Sequence, residues 1–262
     1  MLVFSGLDAD GRVRPIGERS VQIQSTTLET SEKGEVILEM AMRTFAELGY
    51  RATDVQVIAD RAGVGKGTVY RHFGPKEDLF WTAAFEVFKR LRHALVQAEQ
   101  AASGTVAKLR AAALAYGRFF DQNPECLELF VQDRAEFRGT GPEAYKQEHE
   151  ALLQRFLGIV ERGIAAGELR PIDPLKCTIA LSGLLDGVTM QACYLSHGMP
   201  MQEIIEHGVD VFLTGMQPAS PGLATGGDDQ LEPVRNGALG TTCESQSPAL
   251  DLPSPPETEV QP

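Results

Sequence analysis

Residues 53–73 read TDVQVIADRAGVGKGTVYRHF and concentrate cationic, hydroxyl and aromatic side chains within one short segment. Val55, Ile58 and Ala59 form an apolar stripe, Gly63 supplies a tight turn, and Val64 and Val69 face inward across it. Two short helices joined by a glycine-centred turn form a helix-turn-helix, whose second helix lies in a DNA major groove. Tyr70 falls on the outward side of that second helix, whereas Phe73 reads as core. The same letters contain GVGKGT, which resembles a phosphate-cradling loop of nucleotide kinases. That chemistry requires Gly-x-x-x-x-Gly-Lys-[Ser/Thr], so that backbone N–H groups wrap the phosphates and a hydroxyl reaches Mg²⁺. Here Asp60 occupies the position of the first glycine, Gly67 follows Lys66, and Gly74-Pro75 stops the helix after about two turns. The helix-turn-helix is the better match, and it points to a regulator rather than an enzyme.

The chain has 262 residues and a formal net charge of −12, which is acidic for a DNA binder. The distribution resolves the conflict. Residues 218–262 carry seven acids against Arg235, a net −6, whereas residues 61–76 carry Arg61, Lys66, Arg71 and Lys76 and no acid. Binding depends on local phosphate neutralisation, so a small cationic patch serves an acidic protein. Cys126, Cys177, Cys193 and Cys243 show neither metal spacing nor a disulfide framework, as expected of reduced thiols in a cytoplasmic protein. No apolar run is long enough to span a membrane, and the first residues lack a signal-like leader. No cofactor is implied.

The elements that must carry these residues are helical by period. Residues 1–30 show no clear period and read as a mobile arm. From Ser31, Ile37, Ala41, Phe45 and Leu48 recur at helical spacing, and Gly49 ends that helix. Helices follow at about 54–61 and 65–72, and a fourth opens at Pro75 with Glu77 and Asp78 in its first turn. Further helices span about 105–121, 124–137, 142–166, 173–197 and 201–214, separated by glycine and proline punctuation. The expected architecture is all-α: a DNA-binding domain over 31–76, a helical ligand-binding and dimerisation domain over 77–217, and a disordered Pro/Gly/Ser-rich acidic tail over 218–262.

EVILEMAMRTFAELGY, the T53-D-V-x-x-IA stretch, AGVGKGTVYRHF and PKEDLF, followed by a longer helical region, resemble the TetR family of one-component regulators. The resemblance is concentrated in residues 33–80. It implies a three-helix DNA-binding domain, a connecting fourth helix, and a helical domain for ligand binding and dimerisation. It also implies a homodimeric repressor of a palindromic double-stranded DNA operator, released by a small-molecule effector. Carried over position by position, Lys66, Gly67, Thr68, Tyr70 and His72 fall on recognition-helix positions, with Arg71 beside them. Lys76 falls on a phosphate-clamping lysine, and Thr53 lies at the entrance to the second helix. Thr68 and Tyr70 hydroxyls suit phosphate oxygens, and Lys66 suits a phosphate or guanine O6/N7. Three positions depart from the family pattern. Asp54 replaces a hydroxyl residue and Gln56 replaces an arginine, while Gly65 stands where serine is frequent. Asp54 makes a good N-cap but turns a carboxylate toward phosphate, so affinity should be modest.

In the larger domain, Phe85, Phe88, Tyr116, Phe119, Phe120, Phe130, Phe137 and Phe156 come from helices that can converge, either as core or as the lining of an apolar cavity. Phe88, Tyr116, Phe120, Phe130, Asp133 and Phe137 are the candidate pocket set, with Arg134, Glu136 and His149 as further polar groups. A metal site from Glu128, Asp133, Glu136 and His149 is conceivable, but no tight ligand spacing supports it. TIALSGLLDGVTMQACY, with small Ser182, Gly183 and Gly187, and the stripe Ile204, Ile205, Val209, Phe212, Leu213 suggest a four-helix dimer contact with twofold symmetry. Intrachain packing is the alternative for that stripe. A helical ligand carrier without DNA binding is the remaining functional alternative to the regulator and the kinase.

Overall fold

The computed structural model describes residues 32–137, 141–194 and 199–218, the side chains of residues 192–194 excepted. The expected arm over 1–30 and the acidic tail, apart from Pro218, lie outside the described residues. The described elements are α1 (Glu32–Leu48), α2 (Val55–Arg61), α3 (Lys66–Phe73), α4 (Lys76–Ala101), α5 (Thr105–Gln122), α6 (Pro124–Gln132), a π-helical turn (Asp133–Phe137), α7 (Glu143–Ala165), α8 (Pro174–Tyr194) and α9 (Met201–Met216). All regular structure among the described residues is helical, as the periodicity predicts. The one internal difference is the segment expected as a helix to residue 137. Its last five residues widen into the π-helical turn, a local irregularity often found at functional positions.

Helices α1–α3 form a small head. Ile37, Ala41, Met42 and Phe45 of α1 meet Val55, Ile58 and Ala59 of α2 and Val69 and Phe73 of α3, all buried. Asp54 caps α2, its carboxylate accepting the Gln56 backbone N–H at 2.8 Å. Gly63 turns the chain with φ +66°, a conformation that costs a residue with a Cβ about 1–2 kcal/mol. The N-terminal turn of α4 completes the head core with Leu79 and Phe80, and the rest of the helix continues into the body.

The head is joined to the body by an aromatic cluster. Phe137 lies 5.0 Å from Tyr50, 5.1 Å from Phe80 and 4.7 Å from Trp81, ring centre to ring centre. The Gln132 side chain bridges the same junction, accepting from Tyr50 N–H at 3.0 Å and donating to the Phe45 carbonyl at 2.9 Å. Arg51 pairs with Glu136 at 2.6 Å. A half-buried amide satisfied at both ends fixes orientation more tightly than apolar contact alone.

In the body α9 packs along α5. Asp121 at the end of α5 caps α9, accepting from the Met201 and Gln202 backbone N–H groups at 2.9 Å each. Gly117 permits this approach, since a Cβ there would sit 2.8 Å from Gln202 Cα. The stripe expected on α9 splits in two. Ile205, Val209 and Leu213 are buried intrachain core, and Phe212 packs against that core partly buried. Ile204 of that stripe is 38 % exposed and faces outward, as does Val211, 66 % exposed, which the expected stripe did not include. Among the described residues no helix is long and apolar enough to cross a membrane.

Candidate nucleic-acid interface and internal cavity

The orientation of α3 follows from its two buried residues. Val69 and Phe73, four apart, hold one face in the head core, so the opposite face is turned outward. Gly67, Tyr70 and Arg71 are exposed there, and Lys66, Thr68 and His72 are half-buried beside them. Tyr70 is 45 % exposed, unusual for a large aromatic ring, and it projects without a core role. A Cβ on Gly67 would meet no atom within 4 Å, so the backbone at this point is bare toward solvent.

Local electrostatics hold one of these groups back. Lys66 Nζ donates to Asp54 Oδ1 at 2.9 Å. The Gln56 backbone N–H, and after it the Lys66 ammonium, keep the Asp54 carboxyl below the usual aspartate range. The hydrogen bond to Asp54 in turn raises the Lys66 ammonium. The pair is solvent-exposed, so it restrains Lys66 weakly and a phosphate can compete for it.

Thr53 and Lys76 both make hydrogen bonds to the α1–α2 connection. Thr53 is 2 % exposed and its Oγ1 donates to the Gly49 carbonyl at 2.7 Å, so it locks the α1–α2 turn from within. Lys76 Nζ donates to the carbonyls of Tyr50, Arg51 and Thr53 at 2.9, 3.3 and 3.0 Å and lies 4.7 Å from the Tyr50 ring centre. Its ammonium donates to three carbonyls of the α1–α2 connection, so Lys76 pegs that connection to the start of α4. Arg61 likewise pairs with Glu47 at 2.7 Å and donates to Thr44 Oγ1. As for the kinase-like letters, residues 55–61 form α2 rather than the strand such a loop needs, and Lys66 opens α3.

A cavity of about 100 Å³ lies inside the body between α4, α5, α6, α7 and α8, with Met216 of α9 closing one side. Its wall is largely apolar. Of the expected pocket set, Phe88, Tyr116 and Phe130 line it. Phe120, Asp133 and Phe137 do not. Phe120 is 1 % exposed and packs 5.2 Å from Phe130 in the core. Asp133 accepts from Tyr145 OH at 3.0 Å. Phe137 belongs to the head–body cluster, because the π-helical turn rotates it away from the α6 face that carries Phe130. The conceivable metal set is also dispersed: Glu136 pairs with Arg51, Asp133 with Tyr145, and His149 stacks on Phe88 at 3.8 Å. Among the described residues no group of three or more metal-ligating side chains converges.

The polar corner of the cavity is built by Arg134, His149, Tyr116 and Asp186. Arg134 lies over the Phe130 ring at 3.7 Å and pairs with Asp186 at 3.2 Å. Tyr116 OH donates to Asp186 Oδ1 at 3.3 Å and accepts from Thr189 Oγ1 at 2.9 Å. Burial, helped by the charge of Arg134, depresses the His149 imidazole to about 4, so it is neutral. Sequence reasoning missed Asp186, Thr178 and Ser182, having assigned their helix wholly to dimerisation. The signal was there: polar residues at 178, 182 and 186 repeat every fourth position and share one face of α8.

Similarity to known proteins agrees with this geometry. The family model described as "Bacterial regulatory proteins, tetR family" matches residues 37–81. The one described as "Tetracyclin repressor-like, C-terminal domain" matches residues 102–216. The chain is 30% identical over 164 residues to the HTH-type transcriptional repressor AcnR of Corynebacterium diphtheriae, covering 61% of this chain and 80% of that one. It is 29% identical over 158 residues to the uncharacterized HTH-type transcriptional regulator YhgD of Bacillus subtilis, covering 57% of this chain and 82% of that one. Among solved structures, the TetR family transcriptional regulator PfmR from Thermus thermophilus shares the fold, with a TM-score of 0.60 at 24% identity over 70% of this chain and 99% of that one. With a helix-turn-helix head, a helical body and both family models matched, the chain belongs to the TetR family of transcriptional regulators.

Proposed function

We propose that this regulator is a homodimeric repressor that binds a palindromic operator and is released when a small molecule enters the body cavity. Lys66, Gly67, Thr68, Tyr70, Arg71 and His72 form the DNA-facing surface, acting in the cytoplasm on double-stranded DNA. The observation that carries the proposal is the double duty of α4. Its first turn is bound into the head through Lys76, Leu79 and Phe80, and Phe88, Leu91 and Leu95 further along are cavity wall. Lys76 and Phe88 are about 18 Å apart along the helix axis at 1.5 Å per residue. A cavity of about 100 Å³ is smaller than the roughly 300 Å³ of an ordinary ligand pocket, so an effector must spread its walls. Displacing α4 at Phe88 then moves the head, and the ligand shifts the equilibrium by its preference for the spread state.

The outward faces of α8 and α9 support a twofold contact there. Ala180, Gly183 and Gly187 are exposed on α8, and Ile204 and Val211 on α9. Small residues let helices of two subunits approach closely, and the exposed aliphatics supply apolar area. Such a dimer sets its recognition helices one DNA turn or a multiple apart, about 34–36 Å per turn. The test is a footprint on the DNA upstream of the protein's own gene, with affinity followed across salt concentrations. Two protected half-sites and a steep loss of affinity with salt are expected. A monomer that ignores duplex DNA at low ionic strength excludes the proposal and leaves the ligand-carrier alternative.

A further inference from the structure

Two polar atoms in the cavity corner are buried with no hydrogen-bond partner: Arg134 Nε and His149 Nε2. Both residues line the same cavity. A buried donor left unpaired costs about 1–3 kcal/mol, and a native interior tolerates few such groups without a functional reason. Both terminal nitrogens of Arg134 have partners, Nη2 pairing with Asp186 at 3.2 Å and Nη1 donating to the Phe130 carbonyl at 3.4 Å.

We propose that the effector is a largely apolar molecule whose single neutral oxygen, a carbonyl or hydroxyl, sits against Arg134 Nε and His149 Nε2. The inference rests on the cavity being the effector site. Charge selects the neutral group. Asp186 already balances Arg134, so an incoming carboxylate would bring a second negative charge close to Asp186 in a low-dielectric interior. The imidazole is uncharged and offers an anion no compensation. An ammonium head is disfavoured by Arg134 itself. A neutral oxygen accepts the Arg134 Nε–H, and His149 Nε2 completes its hydrogen bonding without unbalancing the corner. Apolar wall residues such as Leu91, Leu109 and Leu181 take the remainder of the molecule.

The experiment titrates the full chain, without DNA, with four eight-carbon probes: 2-octanone, octanoate, octylamine and octane, at about pH 7.5 where octanoate is ionised. 2-Octanone should bind at least about tenfold more tightly than octanoate or octylamine, reflecting the cost of a buried unbalanced charge. His149→Phe keeps the stack on Phe88 but removes Nε2. It should weaken 2-octanone by about fivefold, the worth of one neutral hydrogen bond, and leave octane unchanged. Asp186→Asn removes the counter-charge and should invert the preference toward octanoate. If that variant does not fold, the His149→Phe comparison decides alone. Octanoate binding as tightly as 2-octanone, a ketone affinity indifferent to His149→Phe, or no probe binding at all overturns the assignment. Operator release is measured separately by anisotropy. If 2-octanone binds but leaves the operator complex intact, the ligand class stands and effector gating falls. If octanoate binds best and releases the operator, gating stands and this assignment falls.

Discussion

The head and the cavity corner solve opposite problems with similar side chains. On the head, the outward-facing groups of α3 are exposed or half-buried, where water can satisfy them. Where a cation there is restrained, as Lys66 is by Asp54, the restraint lies in solvent and is weak. In the body, Arg134, Tyr116 and Asp186 are held in a largely buried network, and two buried atoms, Arg134 Nε and His149 Nε2, are left without hydrogen-bond partners. An exposed site gains specificity when its groups find the right geometry. A buried one already bears the desolvation cost, so its unpaired groups select what is admitted. The two are linked by the π-helical turn, which sends Arg134 into the cavity and Glu136 and Phe137 to the head.

Breaking the body should have the largest effect. Gly117→Val forces a branched side chain against the α9 backbone, 2.8 Å from where its Cβ must lie, and should cost about 3 kcal/mol of stability in chemical denaturation. Wild-type stability with this change would mean that α5 and α9 do not approach as described.

A smaller effect separates the regions by pH. His149 is neutral in the fold with its value depressed to about 4, against about 6.5 unfolded. Its contribution is complete above pH 6.5 and is lost as pH falls toward 4, because only the unfolded chain takes up the proton in that window. Relative to His149→Phe, the wild type should lose about 2 kcal/mol between pH 7 and pH 5. Parallel pH profiles would show that the imidazole is not held dry.

On the head, Lys76→Met tests the peg against the clamp. Losing three donations to the α1–α2 carbonyls should lower stability by about 1–2 kcal/mol, and the salt dependence of operator binding should stay as in the wild type. Unchanged melting with a salt slope reduced by about one would restore the phosphate role. The smallest effect is expected from Asp54→Thr. Threonine keeps an N-cap and frees Lys66, so operator affinity should rise a fewfold, by less than about 1 kcal/mol, at fixed salt. Equal or weaker binding in anisotropy measurements would sink the restraint proposed for Lys66.

Legibility followed the range of the contacts. Asp54 as N-cap, Gly49 and Gly63 as turn residues, Val69 and Phe73 as the inward face and Tyr70 as the outward one were all readable. Each depends on neighbours a few positions away, where helical geometry relates spacing directly to direction. The hydrogen bonds of Thr53 and Lys76 were not legible, because their partners, the carbonyls of the α1–α2 connection, become a binding site only once that connection is folded. Phe137 was misplaced for a similar reason: a π-helical turn changes the angular step, and nothing in DRAEF announces it. The α9 stripe showed that a helix has an apolar face. Whether Ile205 or Ile204 lay inside depended on which side α5 took, and Gly117 and Asp121 settled that.

From the letters alone came the all-helical class, the helix-turn-helix and the outward-facing surface of its second helix, because local periodicity and turn chemistry act within a few residues. Tertiary structure alone decided the cavity, the pairing of Arg134 with Asp186 and the position of His149. Arg134 and Asp186 lie 52 residues apart along the chain, with His149 between them, and their burial and neutralisation exist only when separate helices close around them.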